Sequence, residues 1–280
     1  MKTILYSLIA ILLFGSLAPV IKGGKDNTKT IFVEATVRNV SSETLGNSVT
    51  ILNNRLHLYF NSTDAVARLV PGKKLIEVVF PESADSGIVE SLVTQKGEIG
   101  FYEVYDHNEM VELLNGNDEL FSMMKTDSTD NKSGRLGCVK VGEKARINAY
   151  LKTLDTGNKC RFAWTGNPEN TQTCLLPLKT DKNNPVIKGS DIESSQFKED
   201  RILISMTGQA SAGWAETTRR DLGKSIAILL DDNVLSFPRV RSVIEGGKIE
   251  ITGSFSGSFG RYVAAMISSG ELPAEFHIVK

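Results

Sequence analysis

The sequence predicts an α+β protein in which helices cover one face of a mostly antiparallel sheet. Short runs rich in β-branched residues alternate with amphipathic stretches at helical spacing, and tight turns join several of the runs. Hydrophobic residues make up 41% of the 280 residues and charged residues 23%, which is ordinary for a globular protein and too apolar for disorder. That length admits one large domain or two smaller ones. A net charge of −1 lacks the basic excess of a nucleic-acid footprint, so no nucleic-acid partner is expected.

Residues 1–24, "MKTILYSLIAILLFGSLAPVIKGG", carry Lys2 and then an apolar run from Ile4 to Ile21. Its length lies between a signal-peptide core and a minimal membrane span. Ser16 and Ala18 suit cleavage whereas Pro19 opposes it, so the segment is read as a signal peptide or a membrane anchor. It contains no cysteine for a lipid anchor. Either reading places the remainder outside the cytoplasm.

The folded part opens with the strand "IFVEATVRNV", followed by a helix in which Val49, Leu52, Leu56 and Tyr59 share one face. "KKLIEVVFPE" is a strand closed by Pro81, "DSGIVESLVTQKG" a short helix stopped at Gly97, and "EIGFYEVYD" a further strand. The texture changes at Asp106. A helical stretch broken at Asn115-Gly116 leads into "KTDSTDNKSGR", a polar surface loop. The helix "EKARINAYLKT" and a hairpin turning at "NPEN" follow, and "KTDKNNPVIKGSDIESSQFKED" reads as a second long polar connection. Residues 106–199 therefore read as an insertion or subdomain. Regular elements return with the strand "RILISMTG", the helix "ASAGWAETTRRDLG", the strands "SIAILLDD", "VLSFPRV" and "KIEITGSF", the helix "SGSFGRYVAAMISSG" and a final extended piece, "PAEFHIVK".

Cys138, Cys160 and Cys174 are odd in number, so at least one lacks an intramolecular partner. Folding the hairpin at "NPEN" brings Cys160 and Cys174 roughly opposite, a candidate disulfide; the alternative is two small apolar side chains in a sheet. His57, His107 and His277 are scattered, and only Asp106, His107 and Glu109 cluster as potential metal ligands, which loop composition explains. "GSFSGSFG" lacks the ending of a phosphate loop, and Ser256 or Ser258 reads as a helix N-cap. Asp231-Asp232-Asn233 separates two apolar runs. A catalytic carboxylate pair would want an apolar pocket, whereas a hairpin tip exposes both groups, so a turn is expected. No catalytic residue, cofactor or metal ligand is predicted, and an enzyme is not expected.

The run "TTRRDLGKSIAILLDDNVLSFPRVRSVIEGGKIEITGSF", followed by "AAMISSGELPAEFHIV", resembles SecD, or the SecD half of fused SecDF, the membrane accessory of the general secretion channel. Gly223-Lys224, Asp231, Ser236 with Pro238, Gly246-Gly247, Ile251-Thr252-Gly253, Phe255, and Gly270 with Leu272-Pro273-Ala274 occupy the motif positions; Phe237 stands where the family usually has Ala. A weaker likeness covers "TILNNRLHLYF", "KKLIEVVFPE" and "GIVESLVTQKGEIGFYEVYD", and "KARINAYL" and "RFAWTG" also resemble the fused form. The resemblance implies the family's first extracytoplasmic domain, with a ferredoxin-like βα base over residues 25–105 plus 200–280 and an inserted α+β head over 106–199. It implies a periplasmic accessory to protein translocation that binds exported polypeptide or Sec translocon components and touches the membrane only through its N-terminal segment. The alternative is a secreted or surface-anchored binding module unrelated to secretion. In the family "LPAP" leads into helices carrying intramembrane ionisable groups. This sequence ends at Lys280 and its run Ile4–Ile21 holds no charge, so no proton-coupling helices of its own are expected.

Overall fold

The structure is a computed structural model that describes residues 27–125, 134–166, 171–181, 184–253 and 255–279. The expected signal or anchor, most of "KTDSTDNKSGR" and the "NPEN" turn lie outside the described residues.

The first unit comprises β1 (Thr28–Ala35), α1 (Ser42–Phe60), β2 (Val66–Leu69), β3 (Leu75–Pro81), α2 (Ser86–Thr94) and, from the far end of the sequence, β14 (Phe276–Val279). Its sheet has the order β14-β1-β3-β2, antiparallel throughout. Alternation along β3 sends Ile76, Val78 and Phe80 into the core beneath the helices. Ser41 caps α1 by accepting the Thr44 N–H, and Asp85 caps α2 by accepting from Gly87 and Ile88. The buried stripe of α1 is Leu45, Leu52, Leu56 and Tyr59, at helical spacing.

Arg55 lies on that same stripe and is fully buried. Its guanidinium donates to the carbonyls of Leu92 (2.9 Å), Gln95 (2.7 Å), Lys96 (2.7 Å) and Gly270 (2.9 Å), and Nε donates to Ser269 Oγ (3.3 Å). The acceptors are the C-terminal ends of α2 and of α7 (Gly257–Ser269), where carbonyls lack helical partners and a cation is favoured. Burial pulls the Arg55 pKa down to about 10, against the opposing charge of Asp231, and the group stays ionised at neutral pH. Gly97 (φ +81°) passes so close to this guanidinium that a Cβ there would collide with it.

A second sheet, β13-β10-β9, joins β9 (Ile192–Lys198), β10 (Arg201–Met206) and β13 (Lys248–Thr252). Helix α7 packs on β9, where Gly260 lies against the Phe197 ring and Ser268 Oγ bonds both the N–H and the carbonyl of Ser195. A third sheet, β12-β11-β4-β8, joins β4 (Ile99–Glu103), β8 (Ile187–Lys188), β11 (Ile226–Leu230) and β12 (Asn233–Ser236), and α6 (Gly208–Arg220) buries Trp214 edge-on against Phe101. Every residue of β11 is buried, because its two faces serve different cores. Ile226, Ile228 and Leu230 join the main core, whereas Ala227 and Leu229 meet Tyr102, Val104, Ala163, Leu176 and Leu178.

Those last three residues come from the fourth sheet, β5-β7-β6, made of β5 (Gly137–Lys140), β6 (Cys160–Trp164) and β7 (Gln172–Lys179). Its other face closes on α3 (His107–Leu113), α4 (Glu119–Ser122) and α5 (Lys144–Leu151), around Met110, Leu120, Leu136, Ile147 and Leu175. The protein is thus mixed α+β, with four antiparallel sheets among the described residues in place of the single helix-covered sheet expected.

Two further expectations are corrected. The disulfide joins Cys174 to Cys138, and Cys160 is free. In the β6–β7 register Cys160 faces Lys179, well away from Cys174, whereas Cys138 and Cys174 are direct partners across β5–β7. The Cys138 N–H and carbonyl both bond Lys125, so the cysteines form a non-hydrogen-bonded pair, the arrangement that brings facing side chains closest. Burial pushes the Cys160 thiol up to about 12. The second correction concerns the supposed polar connection 179–200, which contains β8 and β9, turned by Glu199-Asp200 with positive φ at both residues.

Candidate functional site

The β11–β12 hairpin turns at Asp231 (φ 47°) and Asp232 (φ 64°), both left-handed as a two-residue hairpin of this kind requires. The turn reading holds, and Asp232 is exposed as expected, but the Asp231 carboxylate is taken up by the main chain. Asp231 Oδ2 accepts the Gly97 N–H (2.9 Å) and Oδ1 the Glu98 N–H (2.7 Å), while the Asp231 N–H donates to the Glu98 carbonyl (2.9 Å). Asp232 instead accepts from Arg161 of β6, whose guanidinium also donates to the Tyr102 hydroxyl (2.8 Å). One carboxylate ties the tip to the α2–β4 link, the other to the β5-β7-β6 sheet.

Beside this hairpin lies a groove of about 720 Å³. One wall is Val234 and Leu235 of β12; the second is Phe255, Phe259 and Tyr262, leading into and along α7; the third comes from the β5-β7-β6 unit, with Val141 and Lys144 ahead of and at the start of α5. The three rings stack in sequence, with centroids 6.1 and 5.9 Å apart. Phe259 is 43% exposed and Val141 50% exposed, large apolar side chains that a monomer gains nothing by presenting to water. Burial pushes the Tyr262 hydroxyl up to about 12, reinforced by the charge of Asp231. A smaller cavity of about 360 Å³ shares Lys144, Thr165, Gly166 and Asn233 with the groove and reaches Arg161 and Trp164.

Such a surface can hold an extended apolar chain. It offers apolar area and stacking rings, with neutral amides of Gln95 and Gln172 among the lining groups.

The other sequence candidates take ordinary places. Asp106 and Glu109 form a capping box on α3, while the His107 ring lies against Phe121. Glu109 also accepts from Lys179 and Lys224 (both 2.7 Å); burial alone would raise its pKa, but these ammonium groups and the Asp106 amide hold it at about 2. Among the described residues no group of three His, Cys, Asp or Glu side chains could hold a metal ion. Ser256 caps α7 by accepting the Phe259 N–H (3.2 Å). Sequence reasoning missed Arg55 and the three-ring wall. The rings carried a signal, since Phe255, Phe259 and Tyr262 recur at i, i+4 and i+7.

Near the Lys224 end of β11 two acids meet. Asp221 is buried with Oδ2 unpartnered, and Glu103 lies against it, bound by Arg220 at 2.7 Å. Burial raises the Glu103 pKa, and the neighbouring Asp221 raises it further.

Fold and groove together define a multi-sheet antiparallel α+β domain with an apolar groove where three of its units meet. Residues 169–274 match the family described as "SecDF, P1 head subdomain". The protein translocase subunit SecD of Acidaminococcus fermentans is 32% identical over 114 residues, covering 39% of this chain and 27% of the relative. SecDF of Thermus thermophilus is 24% identical over 257 residues, 89% of this chain and 29% of the relative, and SecD of Petrotoga mobilis is 25% identical over 84% of this chain and 46% of the relative. This chain therefore spans less than half the length of each. A solved structure titled "Structure and function of a membrane component SecDF that enhances protein export" superposes at a TM-score of 0.53 with 20% identity, covering 90% of this chain and 98% of the other. SecDF "in Super-membrane-facing form" gives a TM-score of 0.56 over 91% of this chain and 30% of the other. The resemblance read from the sequence is borne out: the chain is similar to SecD and SecDF subunits, and residues 169–274 match the SecDF P1 head subdomain. Among the described residues no helix is long and apolar enough to cross a membrane.

Proposed function

We propose that this protein is an extracytoplasmic accessory to protein translocation that holds exported polypeptide in extended form within the groove beside the β11–β12 hairpin. The observation that carries the reading is the stacked rings of Phe255, Phe259 and Tyr262, of which Phe259 is exposed, lining a groove of about 720 Å³ together with Val234 and Leu235. Similarity to translocase subunits supports the assignment to export, and Sec translocon components are the proposed neighbours. In this reading the sheet β14-β1-β3-β2 with α1 and α2 is a ferredoxin-like base, since strand order and connectivity follow a β-α-β-β-α-β pattern. The sheet β5-β7-β6 with α3 to α5 is the core of the head. The domain acts by binding alone, using no cofactor or metal and catalysing no reaction.

The test is equilibrium binding of a fluorescently labelled, permanently unfolded polypeptide to the full-length protein. Saturable binding is expected, with at least a tenfold loss on Phe259→Asp while the circular dichroism spectrum stays native. Absence of saturable binding, or binding that Phe259→Asp leaves unchanged, would refute the groove.

A further inference from the structure

The groove has a charge character that its apolar walls do not require. Among the described residues only two charged side chains line it, Lys144 and Asp231. The carboxylate of Asp231 is occupied by the Gly97 and Glu98 amides. In the adjoining cavity Asp232 is occupied by Arg161. The nearest acid in sequence, Glu143, accepts the Lys140 N–H and lies 3.9 Å from Arg146. Lys144 differs. Its ammonium stands 5.5 Å from the centre of the Trp164 ring, and it forms no ion pair among the described residues.

Lys144 is also the first residue of α5, the end of a helix at which a cation is disfavoured and an anion favoured. It lines both the groove and the adjoining cavity, so the ammonium stands where a chain leaving the three-ring wall would pass.

We infer that Lys144 makes the groove selective for apolar segments that carry a nearby carboxylate, the side chain of an aspartate or glutamate in the bound polypeptide. This rests on the polypeptide-binding reading above. The apolar side chain docks on Phe255, Phe259 and Tyr262, and the carboxylate meets Lys144 over the Trp164 ring. A lysine or arginine at the same place in the ligand would face an ammonium with no acid left free among the groove's described lining residues to offset it.

The test compares three synthetic peptides with one shared apolar, aromatic-containing core, flanked by Glu, by Gln or by Lys, titrated by fluorescence anisotropy into the full-length protein. A partly exposed ion pair gives up to about fivefold in affinity, so the Glu-flanked peptide should bind about three- to fivefold more tightly than the Gln-flanked one, and the Lys-flanked peptide more weakly. The differences should shrink at ~1 M salt, where the screening length falls to about 3 Å. Lys144→Gln should equalise the Glu- and Gln-flanked peptides, and Lys144→Glu should reverse the order. If all three peptides bind the parent protein equally, the inference fails and the binding reading stands. A preference that persists in Lys144→Gln also overturns it. If no peptide binds, both readings fall.

Discussion

Replacing Arg55 with methionine removes a guanidinium whose five N–H groups all have partners, four of them main-chain carbonyls. Methionine roughly fills the space and donates nothing. A buried acceptor left without a partner costs ~1–3 kcal/mol, so four would sum to ~4–12 kcal/mol. Two effects oppose this. The variant no longer buries a charge, worth several kcal/mol, and water can reach some of the carbonyls because Gln95 and Lys96 are themselves exposed. Leu92 is buried, and its carbonyl gains least from that water. The net expected loss is ~3–5 kcal/mol, the range seen when one partner of a buried charged network is deleted. In a domain of this size that lowers the melting temperature by roughly 6–20 °C. Urea unfolding can be followed through the two tryptophans, with Trp214 reporting the main core and Trp164 the β5-β7-β6 sheet. Arg55→Lys should fall between parent and methionine, since an ammonium has three donors for five acceptors. If Arg55→Met unfolds within ~1 kcal/mol of the parent, or lysine is no better than methionine, the guanidinium does not join α1 to the ends of α2 and α7 as argued.

The hairpin tip should respond unequally. Asp231→Asn loses one of two main-chain acceptor bonds and the charge near Arg55, for ~1–2 kcal/mol by chemical denaturation, whereas Asp232→Gly should be near neutral because relief of a positive φ offsets the lost Arg161 contact. Glu103 is raised above its unfolded pKa, so its contribution is fully present below about pH 4.3 and is lost as pH rises through the raised folded value. Glu103→Gln should flatten that part of a melting-temperature series and stabilise the protein at neutral pH. Glu109 is depressed to about 2, the opposite sign, so its contribution is present above about pH 4.3 and lost as pH falls toward 2; Glu109→Gln should remove that acid limb. Reduction, or Cys138→Ala, should cost ~3–4 kcal/mol for a loop spanning 36 positions, while Cys160→Ser should leave the non-reduced peptide map unchanged.

Much of the fold was legible because local pattern and tertiary demand agree. The α1 stripe, the uniformly apolar β11 and the Ser256 cap follow from spacing and side-chain chemistry alone. Strand β9 was hidden because its burial comes from α7 lying over it. Ser195 is covered by Ser268, and Phe197 packs on Gly260, contacts that leave "ESSQFK" reading as loop. The disulfide was misread because strand β5 ("GCVK") is short and was not recognised, so Cys174 was paired within its own hairpin. Arg55 did leave a trace. It lies three residues after Leu52 and four before Tyr59, a charge on an apolar face that is tolerable only if something inside accepts it.

The tip of the β11–β12 hairpin is Asp-Asp for a reason that likewise lies outside the local pattern. Asn-Gly would adopt the left-handed turn with less strain, so local preference alone does not select two aspartates. Their side chains reach in different directions, one to the amides of Gly97 and Glu98, the other to Arg161 on β6. The two apolar residues that follow the turn, Val234 and Leu235, form one wall of the groove, so the wall's position is set by whatever holds the tip. Strand β11 is held by the two cores it packs between, and the tip contacts extend that hold to the turn. With one carboxylate fixed to the α2–β4 link and the other to the β5-β7-β6 sheet, the wall is referenced to both sides at once. An Asn-Gly tip would make the turn but would give up the carboxylate acceptors that meet the Gly97 and Glu98 amides on one side and Arg161 on the other.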